Sequence, residues 1–193
     1  MKIAILEDHL IVAQSVAELL KARYNGEVSI LNPESLDYNT LNDYEVLLLD
    51  FDYGPLGDAN DILDQLNKLN ITHLKIILFS SFSKQPILMT CRNPLVQGYV
   101  HKSFGFNDLV QAVDTVVTGR NWYQPKYEAE IKQLLALPKS DVLSAREKEV
   151  VRMAKQGKPR EEIAKELNIS VKTVDSHLGN IYQKLDINSI REL

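Results

Sequence analysis

Along residues 1–120 the apolar positions fall alternately into short runs and helical stripes. Ile3 to Leu6 is a buried strand ending at Glu7-Asp8. Val12, Val16, Leu19 and Leu20 then repeat at i, i+4, i+7 and i+8, which predicts a helix broken at Gly26. Val28 to Leu31 reads as a second strand, and the polar stretch from Pro33 to Asn42 signals a helix only weakly. Val46-Leu47-Leu48-Leu49 is too short for a typical helix and reads as a strand buried on both faces, ending at Asp50. Gly54, Pro55 and Gly57 mark a loop. Ile62, Leu63, Leu66 and Leu69 give the next helix. Leu74 to Phe79 is a fourth strand running into Ser80-Ser81, and Pro86 suits the first turn of a short helix through Cys91. Gly98 to His101 is a fifth strand followed at once by Lys102. Asn107 is placed to cap a helix carrying Leu109, Val110, Val113, Val116 and Val117, which Gly119 ends. Five alternations of strand and helix predict a doubly wound, flavodoxin-like α/β domain over 1–120, with five parallel strands.

The pattern changes after that. Residues 121–142 read as a linker, with Trp122 packed on the last helix and Ile131, Leu134, Leu135 and Leu137 as a short helix or a packed strip. Over 143–193 only helical spacing remains. Ser144 with Glu147 forms a capping box before Val150, Val151 and Ala154, and Gly157 stops that helix. Ile163, Ala164 and Leu167 mark a second, short helix, and Asn168-Ile169 a tight turn. Ser170 caps a third helix with Val174, Leu178, Ile181 and Leu185 on one stripe. This is a small all-α helix-turn-helix plan.

Composition sharpens the division. The net charge of −4 is uneven: residues 1–120 carry 9 Lys/Arg against 15 Asp/Glu, and residues 142–193 carry 10 against 8. An acidic front and a mildly basic back suggest different partners. Cys91 is the single cysteine, which excludes a disulfide framework or a multi-cysteine metal site. Glu7-Asp8 interrupts the N-terminal apolar run, and no segment has the ~18 apolar residues of a membrane span. We expect a soluble, cytoplasmic protein with no membrane partner.

In a parallel sheet all strand C-termini share one rim, where open α/β folds keep their ligand sites. Glu7, Asp8, Asp50, Ser80 and Lys102 therefore converge. Asp50 is a metal ligand, a nucleophile, or the cap of the segment after it. Clustered carboxylates repel one another unless a cation sits among them. Oxygen-only ligands select a hard ion such as Mg²⁺, and a carboxylate can act as a phosphoryl nucleophile. Lys102 and Ser80 suit the phosphoryl oxygens. His9, His73 and His101 lack metal-ligand spacing and read as structural or solvent-facing.

Taken together, Glu7-Asp8, Asp50, Ser80, Tyr99 and Lys102 give residues 1–120 a resemblance to the receiver domain of bacterial two-component response regulators. The resemblance implies that Asp50 accepts a phosphoryl group from a sensor histidine kinase. It implies that Asp8, Asp50 and the carbonyl of Asp52 ligate Mg²⁺, with Glu7 acting through water. Ser80 and Tyr99 would be the switch pair. Two features depart from the family pattern: Pro55 stands one place late, and Asp52 adds a carboxylate two residues after the acceptor. The Asp50-Phe51-Asp52 run also resembles the aspartyl-phosphatase motif of haloacid dehalogenases, in which Asp52 would be the general acid. A receiver that acts by protein contacts without phosphate is a third reading.

Residues 143–193 resemble the LuxR-type (NarL/FixJ) DNA-binding domain. The resemblance rests on Leu143-Ser144, Arg146-Glu147, Glu149-Val150, Gly157, Glu162-Ile163-Ala164, Leu167, Ile169-Ser170, Thr173-Val174, His177, Asn180-Ile181 and Lys184-Leu185. It implies a transcription regulator that binds promoter half-sites in double-stranded DNA as a homodimer, at least when phosphorylated. At 100° per residue, Lys172, Ser176, Gly179 and Gln183 point away from the apolar stripe, while His177 and Asn180 flank it. Lys172 and Thr173 lie in the first turn, where phosphate is favoured. Lys165 and Lys184 are candidate phosphate contacts. The family usually has Lys where this chain has Asp175, a polar or basic residue at Gly179, and a Ser or Thr cap near Lys158-Pro159-Arg160.

Overall fold

A computed structural model describes residues 1–81, 88–103, 105–136, 143, 145–185 and 187–192. The chain forms two compact units, Met1–Ala136 and Leu137–Leu193.

Unit 1 carries strands β1 (Lys2–Leu6), β2 (Glu27–Leu31), β3 (Val46–Leu49), β4 (Lys75–Ser80), β5 (Val96–His101) and β6 (Trp122–Tyr123). All adjacent pairs are parallel, in the order β2-β1-β3-β4-β5-β6. The sheet thus has six strands where the sequence pattern predicts five. The extra strand is two residues long, paired as Gly98 to Trp122 and Tyr99 to Tyr123. Two residues are too few to show a period of two.

Among the described residues, the helices of unit 1 include α1 (Leu10–Tyr24), α2 (Ala59–Lys68), α3 (Phe106–Val116) and α4 (Pro125–Ala136). Strand residues alternate between two apolar cores. Ala4, Leu6, Leu47, Leu49, Ile76 and Leu78 lie in one, with α2 and α4. Ile3, Ile5, Val46, Leu48, Ile77 and Phe79 lie in the other, with α1 and α3. A sheet covered on both faces is what continuous aliphatic runs require.

Several local expectations shift. The buried face of α1 is Ala13, Val16, Ala17 and Leu20, while Leu19 is exposed. The small alanines let the helix approach the strands closely, which turns Leu19 outward. Residues 33–43 form two short 3₁₀ turns instead of a helix. Gly105, not Asn107, precedes α3 as its N-cap, without a side-chain cap. Asn25, left-handed at φ 45°, closes α1 just before Gly26. The expected helix from Pro86 falls largely outside the described residues.

The compact unit runs past the expected receiver boundary at residue 120. Tyr123, Tyr127, Ile131 and Leu134 are buried in the α2-side core, so residues 121–136 complete the fold. Trp122 packs, half-buried, on the core that holds Leu109, Val113 and Val116, as expected.

Unit 2 consists of α5 (Ala145–Lys155), α6 (Arg160–Glu166) and α7 (Val171–Leu185) around a core of Val150, Met153, Ile163, Leu167, Val174, Leu178, Ile181 and Leu185. The expected stripe on α7 is buried throughout. Gly157 at φ 76° ends the α5 region in the left-handed conformation glycine favours. The Thr173 N–H donates to Ser170 Oγ at 3.0 Å, capping α7. The Ser144 capping box lies outside the described residues.

Candidate functional site

Register places the acidic rim. Leu6 pairs with Leu49, and Leu49 with Leu78. Ser80 pairs with His101. The Asp50 N–H donates to the Leu6 carbonyl at 3.0 Å, and the Lys102 N–H to the Ser80 carbonyl at 2.8 Å. Residues far apart in sequence are thereby fixed beside one another at the C-terminal ends of β1, β3, β4 and β5.

Lys102 Nζ lies 2.9 Å from Asp50 Oδ2 and 2.5 Å from Glu7 Oε2. Both carboxylates and the ammonium are almost wholly buried, while Asp8 is half-exposed. The Phe51 N–H donates to Asp50 Oδ1 at 2.7 Å, which fixes the rotamer of the carboxylate. Burial pushes the Asp50 carboxyl up to about 6, against the pull of Lys102 and with help from the charge of Glu7. Ser80 is completely buried at the end of β4. Tyr99 is fully buried too, edge-on to Tyr127 with centroids 5.3 Å apart.

The sequence pattern assigned no site role to His9. Its Nδ1 lies 2.8 Å from Asp8 Oδ1 and 3.2 Å from Glu7 Oε1, and Asp8 chiefly raises its basicity. Ligand atoms of Glu7, Asp8, His9 and Asp50 all lie within 4.8 Å of one another. The available signal was adjacency, since His9 directly follows the acidic pair. The three carboxylates are the part of this group that fits a hard divalent cation such as Mg²⁺, which takes oxygen ligands, whereas the His9 imidazole pairs with Asp8 and Glu7.

The Asp52 carboxylate stands outside that group. It is exposed, and its Oδ1 accepts the Gly54 N–H at 2.9 Å in the following loop. The expected metal role of Asp52 concerns its backbone carbonyl and not this carboxylate. The same loop is pinned by Tyr53, whose buried hydroxyl donates to the Leu6 carbonyl at 3.1 Å.

On unit 2, Lys165, Lys172, Ser176, Gly179 and Asn180 are exposed, and Thr173 and His177 half-buried. Ser176 Oγ donates to the Lys172 carbonyl at 3.0 Å. Lys184 differs from expectation. Its Nζ lies 2.9 and 2.7 Å from the two oxygens of buried Glu147. A buried carboxylate needs its cation, so Lys184 ties α7 to α5, with its side chain still 42% exposed. Asp175, the departure at the usual Lys, pairs with Arg160 Nε at 3.1 Å. Neither Glu147 nor Arg160 stood out as a partner in the sequence, because each pair joins different helices.

Among the described residues no helix is long and apolar enough to cross a membrane. Residues 141–193 match the model of the luxR family of bacterial regulatory proteins. Over 99% of its length the chain is 28% identical to the Fimbriae Z protein of Salmonella typhimurium, covering 93% of that protein. It is 27% identical to the oxygen regulatory protein NreC of Staphylococcus aureus, over the full chain and 94% of the relative. Among solved structures, RcsB from Salmonella enterica serovar Typhimurium, bound to promoter P1flhDC in the presence of phosphomimetic BeF3⁻, shares 26% identity. The match covers 98% of this chain and 93% of that one, with a TM-score of 0.64. Over its whole length the chain is thus similar to two-component response regulators, and its residues 141–193 match the luxR family of bacterial regulatory proteins.

Proposed function

We propose that this protein is a transcription regulator switched by phosphorylation of Asp50. The observation that carries the reading is the placement of Asp50: a buried carboxylate at a strand end, with Lys102 Nζ at 2.9 Å and the Glu7–Asp8 pair beside it. A phosphohistidine of a sensor kinase supplies the phosphoryl group. The P–N bond breaks, a P–O bond to an Asp50 oxygen forms, and the departing imidazole takes up a proton. Mg²⁺ would be held by Asp8, Asp50 and the Asp52 carbonyl, with Glu7 acting through water, and would neutralise charge on the transferring group. Lys102 turns from its two carboxylates to the new phosphoryl oxygens, and the Ser80 hydroxyl donates to them. Tyr99, buried edge-on to Tyr127, would be the aromatic that responds when the Ser80 hydroxyl moves toward the phosphoryl group.

The receiver change biases DNA binding or homodimerisation of unit 2. Lys172, Thr173, Ser176, His177 and Asn180 on α7 face promoter half-sites, with Lys165 supplying a phosphate contact. The RcsB structure bound to promoter DNA with BeF3⁻ supports this by likeness. Phosphoramidate carries the same P–N bond as phosphohistidine and serves as donor. With Mg²⁺ it labels the wild type and not Asp50→Asn, and the labelled protein shifts genomic duplex fragments at low salt. Equal labelling of Asp50→Asn sinks the acceptor assignment, and labelled protein that shifts no fragment sinks the DNA half.

A further inference from the structure

Arg160 opens α6 and Asp175 lies near the start of α7, so the Arg160–Asp175 ion pair crosses the helix-turn-helix. Both side chains are more than half exposed, at 59% and 51%. Such an exposed pair adds little to folding stability. Its value lies in what it presents. Nε lies 3.1 Å from Asp175 Oδ1, and a guanidinium approached at Nε still has outward N–H donors on its terminal nitrogens for a second acceptor. A guanidinium held at one edge has already lost much of its rotamer freedom, so a further bidentate contact costs less ordering.

Charge on the surrounding surface points the same way. The nearest basic side chain before Arg160, Lys158, is engaged by Glu162 and Glu166. Lys184 is engaged by Glu147. In helix-turn-helix docking the first helix of the pair crosses the nucleic-acid backbone. At the start of α6, where Glu161 and Glu162 follow, Arg160 is an exposed cation placed to offset DNA phosphate, with Lys165 in the last turn of the same helix. Meanwhile Asp175, which alone would repel the duplex, is neutralised by that same arginine.

We propose that Arg160 and Asp175 form one DNA-contacting unit: the Arg160 guanidinium binds a backbone phosphate bidentately, and Asp175 is the positioning residue that aims it. This rests on the DNA-binding reading of unit 2 and assigns contacts that the usual Lys at position 175 would make differently.

A double-mutant cycle tests it. Full-length, beryllofluoride-treated protein with Mg²⁺ is titrated by fluorescence anisotropy against duplexes recovered from a random-sequence library and against the unselected library. Arg160→Gln is expected to weaken both about tenfold, to reduce the slope of log K against log salt by about 0.9, and to leave the melting temperature nearly unchanged. Asp175→Asn in the wild type removes a negative charge but also unmoors the arginine, so it yields no gain in affinity. In the Arg160→Gln background only the repulsion is removed, and Asp175→Asn tightens binding. An unchanged salt slope in Arg160→Gln, or effects of the two changes that simply add, overturns the unit while leaving DNA binding intact. A wild type that recovers no duplex overturns the DNA reading, and the unit with it.

Discussion

Lys102 is the residue on which the rim depends. Its ammonium serves two buried carboxylates at once. Removing one partner of a buried charge pair leaves uncompensated charge and costs about 3–5 kcal/mol. Lys102→Met should therefore lower stability in metal-free buffer by about that amount in urea unfolding, and millimolar Mg²⁺ should restore part of it. Asp50 gives a second expectation. Its carboxyl sits at about 6 when folded, above the ordinary value of 3.8. The folded state thus favours the protonated form. The stability this contributes is full below the unfolded value and is lost as pH rises through about 6. Metal-free wild type should lose stability between pH 4 and pH 6.5, and Asp50→Asn should show a flatter profile over that window. Parallel profiles in the two proteins would remove burial as the cause.

At the scale of elements, the ion pair of Lys184 with Glu147 decides how α7 is held. A hydrogen-bonded charge of this kind contributes about 1.5–3 kcal/mol. Lys184→Met should cost unit 2 that much in thermal unfolding while leaving the salt slope of DNA binding unchanged, and a reduced slope would instead make it a phosphate contact. β3 was legible to the residue because four consecutive aliphatics fit only a doubly covered strand. The acidic rim was legible for a related reason: parallel strands bring every C-terminal residue to one edge. The inward face of α1 was misread because Ala13 and Ala17 carry too little apolar surface to announce themselves beside Leu19. The partners of Lys184 and Asp175 were hidden since their spacing, 37 residues for the former, follows no helical or strand period.

For the whole molecule, the consequential finding is that residues 121–136 belong to unit 1. Tyr123, Tyr127, Ile131 and Leu134 are all buried there. Each buried side chain of this size contributes about 1.5–3 kcal/mol, and together they rival the 5–15 kcal/mol that typically separates folded from unfolded domains. A fragment ending at residue 120 should lack a cooperative thermal transition, whereas one ending at residue 136 should melt in a single step. Equal transitions in both fragments would demote β6 and α4 to ornaments. A polar, mixed segment of this kind reads as a linker by composition, because one aromatic or aliphatic per helical turn is enough to dock it.

The ammonium at the acidic rim also sets the terms on which a metal arrives. Lys102 is a counter-ion that the chain carries with it, tethered and never diluted. A divalent cation must compete against that fixed local concentration each time it enters. For the metal site proposed above, that competition would lower affinity and keep exchange easy. Under the proposed phosphorylation of Asp50, the added negative charge would end the competition of ammonium and metal for the same carboxylates. Metal occupancy of the resting protein should then track the magnesium concentration around it, which makes the readiness of Asp50 itself a function of ionic supply.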